Sequence, residues 1–104
     1  MELRIWHIPQ VPMRAFRVRV SDIDSACLLL EVLAKYDSFQ YENKIKPDYA
    51  NASGLEVYDE ILSEWTDWYG EDDGEDIWTY IDNVWRPKHE NLFLEVLPDG
   101  TLEG

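Results

Sequence analysis

The chain is poor in the residues on which most site chemistry depends. Its 104 residues include one cysteine, Cys27, and two histidines, His7 and His89. A single cysteine excludes an intramolecular disulfide and a cysteine-based metal cluster. Long apolar runs are missing too. The longest, Ala26 to Leu30, is five residues, whereas a membrane span needs roughly 18. Met1-Glu2-Leu3-Arg4 is not a charged segment followed by an apolar core, so no secretory signal is read and a cytoplasmic location is expected. No Gly-x-Ser-x-Gly, phosphate loop or dinucleotide fingerprint occurs. These absences predict a noncatalytic protein with no cofactor and no metal.

Positive charge is scarce in one half only. The net charge is −13. Residues 1–50 are balanced, with seven bases (Arg4, Arg14, Arg17, Arg19, Lys35, Lys44, Lys46) against seven acids. Residues 51–104 hold two bases, Arg86 and Lys88, and 15 acids. Between Glu56 and Asp76 stand ten carboxylates and no base. Such a surface repels nucleic acid and anionic membranes, so direct nucleic-acid binding is not expected. Basic protein surfaces and cations are the chemically compatible partners.

What is plentiful is aromatic side chain: 5 Trp, 6 Tyr and 3 Phe. With 45% hydrophobic residues, this composition supports a folded core and excludes wholesale disorder. The length allows one compact domain, 1–104.

Periodicity supplies the elements. Leu3 and Ile5 alternate with Arg4 and Trp6, predicting a strand over 2–8. Pro9 and Pro12 forbid regular structure between them. Phe16, Val18 and Val20 alternate with Arg17 and Arg19, predicting a strand over 15–20 with a basic face. Ile23, Ala26, Cys27, Leu30, Leu33 and Ala34 fall at helical spacing, so a helix is expected over 22–36, with Ser21 and Asp24 as a capping box. Residues 37–54 read as a long ordered connection, followed by a strand over 54–59. Residues 58–69 fit two patterns. Tyr58, Ile61, Leu62, Trp65 and Trp68 suit a helix, whereas Trp65, Asp67 and Tyr69 suit one face of a strand. A hairpin turning near Asp59–Ser63 is the preferred reading. Ile77, Tyr80, Ile81, Val84 and Trp85 predict a second helix over 75–85, stopped by Pro87. Leu92, Leu94 and Val96 predict a last strand over 91–97, and the final four residues are expected to fray. The order β-β-α-β-β-α-β implies an α+β domain, its mostly antiparallel sheet carrying both helices on one face.

Two candidate sites follow. In the acidic half, Glu64, Trp65, Asp67, Trp68, Glu71, Asp72, Asp73 and Trp78 interleave rings with carboxylates. An arginine of a basic protein partner can pair with such acids and stack on such rings. In the neutral half, Trp6, His7, Gln10, Asn43, Lys44, Lys46, Asp48, Tyr49 and Asn51 occupy irregular segments. They are candidates for a polar pocket, with Lys44 and Lys46 holding an anionic nucleotide; the plainer alternative is that they satisfy loop backbone groups. The acidic turn Gly70–Gly74 fails as an EF-hand. With Gly74 at the sixth position, Tyr69 and Tyr80 fall where Asp and Glu are required. Cys27, on the apolar face of the first helix, is expected in the core, and His89 in solvent.

Three strings carry a family resemblance. The first is Trp6-His7-Ile8-Pro9-Gln10-Val11-Pro12-Met13 with Phe16. The second runs through Tyr36-Asp37, Phe39-Gln40, Glu42-Asn43, Lys44-Ile45-Lys46-Pro47-Asp48-Tyr49, Asn51 and Gly54-Leu55-Glu56-Val57. The third is Glu64-Trp65, Trp68-Tyr69 and the acidic turn. Together they resemble the small acidic superinfection exclusion proteins of tailed phages and prophages, over about residues 5–82. The resemblance implies a role in phage–phage or phage–host conflict and carries over no catalytic residue. The leading expectation is a protein that binds and inhibits a host or competing-phage protein through its acidic aromatic surface, a DNA mimic being one version. The alternative is binding or sequestration of a small anionic nucleotide. A third reading is a homodimer in which Arg17 and Arg19 meet carboxylates of a second copy.

Overall fold

The structure, a computed structural model, describes residues 1–44, 51–71, 73–89, 95–96 and 102–103. Four strands form one antiparallel sheet in the order β2-β1-β3-β4. They are β1 (Leu3–Ile8), β2 (Phe16–Val20), β3 (Ala52–Asp59) and β4 (Glu64–Asp67). Between β2 and β3 the chain crosses the sheet through helix α1 (Ile23–Glu42). A second helical run comprises α2 (Ile77–Tyr80), a π-helical turn (Ile81–Trp85) and α3 (Arg86–Lys88). β5 (Glu95–Val96) and β6 (Leu102–Glu103) form a small antiparallel pair. The molecule is an α+β domain, as its periodicities indicate.

Strand alternation decides the layers. Leu3, Ile5 and His7 are buried, while Arg4, Trp6 and Ile8 are half-buried on the opposite face. Register sets Ile5 between Val18 and Leu55, and Leu3 between Val20 and Val57. Against this face pack Ala26, Cys27 and Leu30 of α1 together with Ile77, Ile81 and Trp85. Both helical layers therefore share one side of the sheet. Burying each Leu or Ile contributes about 1.5–3 kcal/mol.

Several elements differ from expectation. Helix α1 starts one residue later, with Asp22 as the cap: its Oδ1 accepts from the Ser25 amide at 2.7 Å. The helix also runs six residues past 36, because no Gly or Pro intervenes and its added turns carry Asp37 to a buried partner. Asn43 closes it by donating Nδ2 to Phe39 O at 2.9 Å, and Lys44 leaves with φ 60°. The hairpin reading of 58–69 holds, with Asp59 Oδ1 accepting from the amides of Ile61 and Leu62. The second helix is not uniform. An α-helix advances about 100° per residue, which would carry Trp85 about 80° past Ile77. π winding turns less per residue and returns Trp85 to the side of Ile77 and Ile81. Pro87 does not stop the run, because it sits in the first turn of α3, where no amide donor is required. Of the last predicted strand, 95–96 pairs as a strand; 91–94 and 97 lie outside the described residues. Leu102–Glu103 pair with Glu95–Val96 instead of fraying.

Burial pushes the Cys27 thiol up from 9.0 to about 12. An unfolded thiol ionises first, so stability is level below pH 9.0 and declines as pH rises towards 12. Folded Cys27 is therefore expected to resist a thiol-specific disulfide reagent at about pH 8 and to react fully in denaturant. Rapid labelling of the native protein would contradict that burial.

Gly54 stands opposite Trp6 across the β1–β3 ladder. A Cβ there would lie 2.8 Å from Trp6 Nε1, so the indole is seated on the bare backbone. Gly54→Ala is expected to cost about 1–3 kcal/mol, read as a lower urea midpoint at constant slope. An unchanged midpoint would show that the indole does not need that seat.

Candidate functional site

The sheet face turned away from the helices is held by charge and rings. Arg4 Nε meets Glu56 Oε1 at 2.7 Å, and its guanidinium lies 4.2 Å from the Trp65 ring centroid. Arg19 approaches the same ring at 5.7 Å and pairs with Glu2 at 3.0 Å. Tyr58 meets Trp65 edge-on, centroids 5.4 Å apart. Trp65 is thus half-buried beneath two arginines of its own chain. Of the basic strand, Arg19 pairs with Glu2 of its own chain, and Arg17 is exposed.

Beside this face a cleft opens where β4 ends. β3 continues past the end of β4, and its edge is covered from elsewhere. Trp68 donates its amide to Leu55 O at 3.0 Å, and Trp78 donates Nε1 to Ser53 O at 3.0 Å. Since Gly54 contributes no side chain, the Trp6 indole lies across it. The resulting cleft, about 220 Å³, is lined by Trp6, Trp68, Trp78 and Tyr69 with the carboxylates Asp67 and Asp76. Asp76 caps α2, its Oδ1 accepting from the Thr79 amide at 2.8 Å. That bond holds its carboxyl below the usual carboxylate range, so it stays ionised into mild acid. Trp68 is 8% exposed and meets Tyr80 edge-on, whereas Tyr69 is 58% exposed.

A third constellation is buried. His7, 3% exposed, and Asp37, 1% exposed, approach at 2.8 Å between Nε2 and Oδ2. Asn51 donates Nδ2 to the same oxygen at 2.7 Å. The three join β1, the late turns of α1 and the approach to β3. Alternation along β1 places this imidazole in the core, with the Asp37 carboxylate beside it.

The predicted site residues are therefore redistributed. Glu64, Asp67, Glu71 and Asp73 are exposed, Trp65 is half-buried, Trp78 walls the cleft, and Trp68 belongs to the core with one side at the cleft. Trp6 and His7 take opposite faces of β1. Gln10 is half-buried before β2, Asn43 and Lys44 are exposed at the end of α1, and Asn51 binds Asp37. Asp72, Lys46, Asp48 and Tyr49 lie outside the described residues. The cleft unites Trp6 with Trp68, Trp78 and Asp67, which belong to separate sequence groups. Sequence reasoning missed Asp76, whose place just before the apolar spacing of Ile77 marks an N-cap, and Asp37, whose signal was only its place in a family-like string. His89, expected in solvent, is half-buried and stacked on Trp85 at 5.1 Å. Arg86 binds both Glu31 and Asp82, and Glu31 raises its pKa further.

Asp37→Ala removes the acceptor of the half-buried Asn51 Nδ2 and the carboxylate 2.8 Å from the buried His7 Nε2. Each orphaned buried polar group costs about 1–3 kcal/mol, so chemical denaturation is expected to show a loss of about 2–5 kcal/mol. A loss below that range would mean that the trio does not anchor α1.

Comparison with known proteins places this geometry. The family model described as superinfection exclusion gene product 17 matches residues 2–86. The superinfection exclusion protein of Salmonella phage P22 is 48% identical over 82 residues, covering 68% of this chain and 80% of that protein. No solved structure matches. The matched span takes in the sheet, α1, the cleft and the π-helical turn, and the chain belongs to the superinfection exclusion gene product 17 family.

Proposed function

We propose that this exclusion protein acts without chemistry of its own, by binding and inhibiting a host or competing-phage protein that presents a basic surface. The observation that carries this reading is β4 together with the segment that leads from it to α2. Glu64, Asp67, Glu71 and Asp73 are exposed there beside the exposed ring of Tyr69, and residues 56–76 include no base. Such a field speeds encounter with a positive surface and repels nucleic acid. Among the described residues, Arg4 pairs with Glu56, Arg19 with Glu2, and Arg86 with Glu31 and Asp82. Among the described residues no helix is long and apolar enough to cross a membrane. The proposed place of action is the host cytoplasm.

The test is exclusion itself. Glu64→Gln, Glu71→Gln and Asp73→Asn together remove three exposed charges and no core contact. Exposed charge pairs are worth about 0.2–1 kcal/mol each, so a partner held through these three carboxylates is expected to bind about 3- to 150-fold more weakly. Cells producing the triple variant should regain plating of a phage that the wild-type protein excludes, while circular dichroism shows an unchanged melt. Full exclusion by the folded variant would defeat the acidic-surface reading.

A further inference from the structure

We propose that the cleft between Trp6 and Trp78 receives one guanidinium group, an arginine side chain of the partner protein. The proposal rests on the binding reading above and names the chemistry its surface selects. At about 220 Å³, the cleft is smaller than the roughly 300–1,000 Å³ typical of small-molecule pockets; it suits a side chain and not a nucleotide. Its walls are indoles, the rings that best attract a cation. Two carboxylates, Asp67 and Asp76, stand among those rings, and no Lys or Arg is among the described residues that line it. Over those residues the cleft is aromatic and doubly negative.

Guanidinium fits better than ammonium for two reasons. It is planar and weakly hydrated, so it stacks on indole while its edge N–H groups reach carboxylates. The same chain already shows that mode on the neighbouring face: Arg4 lies 4.2 Å over Trp65 while its Nε binds Glu56. The walls are also held in place before any ligand arrives. Trp78 is tied to Ser53 O, Trp6 is seated on Gly54, Trp68 is packed on Tyr80, and Asp76 is bound to the Thr79 amide. Little ordering is left to oppose binding.

Isotope-labelled full-length protein can be titrated with three capped tripeptides, Gly-Arg-Gly, Gly-Lys-Gly and Gly-citrulline-Gly, while the indole N–H signals are followed. The arginine peptide is expected to shift Trp6 and Trp78 saturably, with Kd on the order of 1 mM. Trp85, stacked on His89, should stay still. Lysine should bind several-fold more weakly, and citrulline, which keeps the shape without the charge, should not saturate. Asp67→Asn with Asp76→Asn keeps a competent helix cap and should weaken the arginine peptide at least about fivefold. Three results would each overturn the proposal: no saturable shift with arginine, equal shifts with citrulline, or unchanged arginine binding by the double variant. Any of these, alongside loss of exclusion in the Glu64, Glu71 and Asp73 variant, would leave the wider acidic surface standing and remove the cleft alone.

Discussion

β1 is hydrogen-bonded along both edges, and the rest of the molecule is arranged around that double pairing. A strand held on two sides cannot rotate to re-aim a side chain, so its alternation is binding. Leu3, Ile5 and His7 go to the helices, and Arg4 and Trp6 go outward. Burying His7 creates a demand for a polar partner inside the core. Asp37, on the stretch of α1 that continues past residue 36, lies 2.8 Å from the His7 Nε2. Sending Trp6 outward makes the opposite demand, for space beside the strand. Gly54 provides it in β3, directly across the ladder. The long helix and the aromatic cleft are thus two consequences of one strand's pleat.

Charge is handled by proximity. The net charge of −13 coexists with close ion pairs, and those pairs hold elements together. Arg86 ties α3 to Glu31 of α1, while Arg4 links β1 to β3 through Glu56. Arg86–Asp82 is an exposed pair and adds little stability by itself. Among the described residues, none of these pairs reaches the carboxylates between β4 and α2. Repulsion within that segment is tolerated because it is exposed, where water and salt screen it.

Much of the fold was legible because the sheet is amphipathic. Alternation located β1 and β2 to within a residue, and turn residues around Asp59–Ser63 marked the hairpin. Legibility failed where distant contacts decide. Nothing local states that Asp37 will be buried against His7, so the helix looked finished at Tyr36. π winding brings Trp85 back to the side of Ile77 and Ile81, but their i+4 spacing reads in the sequence as an ordinary α-helix. For the site, the rings and acids were visible as types, but not which of them meet. Trp68 and Trp65 look alike in a string of acids. One is drawn into the core beyond the end of β4, and the other is sandwiched under Arg4 and Arg19.

Two signals in the sequence point to different halves. Charge density points to residues 56–76, whereas most family-like strings lie before residue 58. The strand register resolves that tension. Trp6 lies in the first string, yet Gly54 seats it beside Trp78, Asp67 and Asp76. A diffuse acidic field accelerates association with any basic surface but discriminates poorly among them. A rigid cleft of rings discriminates by shape but does little at a distance. On the proposed reading the acidic half supplies rate and reach, and the cleft supplies selectivity. One of the cleft's walls is contributed by the strand that organises the core, so selectivity is bound to the integrity of the sheet, while the exposed acids that set the field can vary without disturbing it.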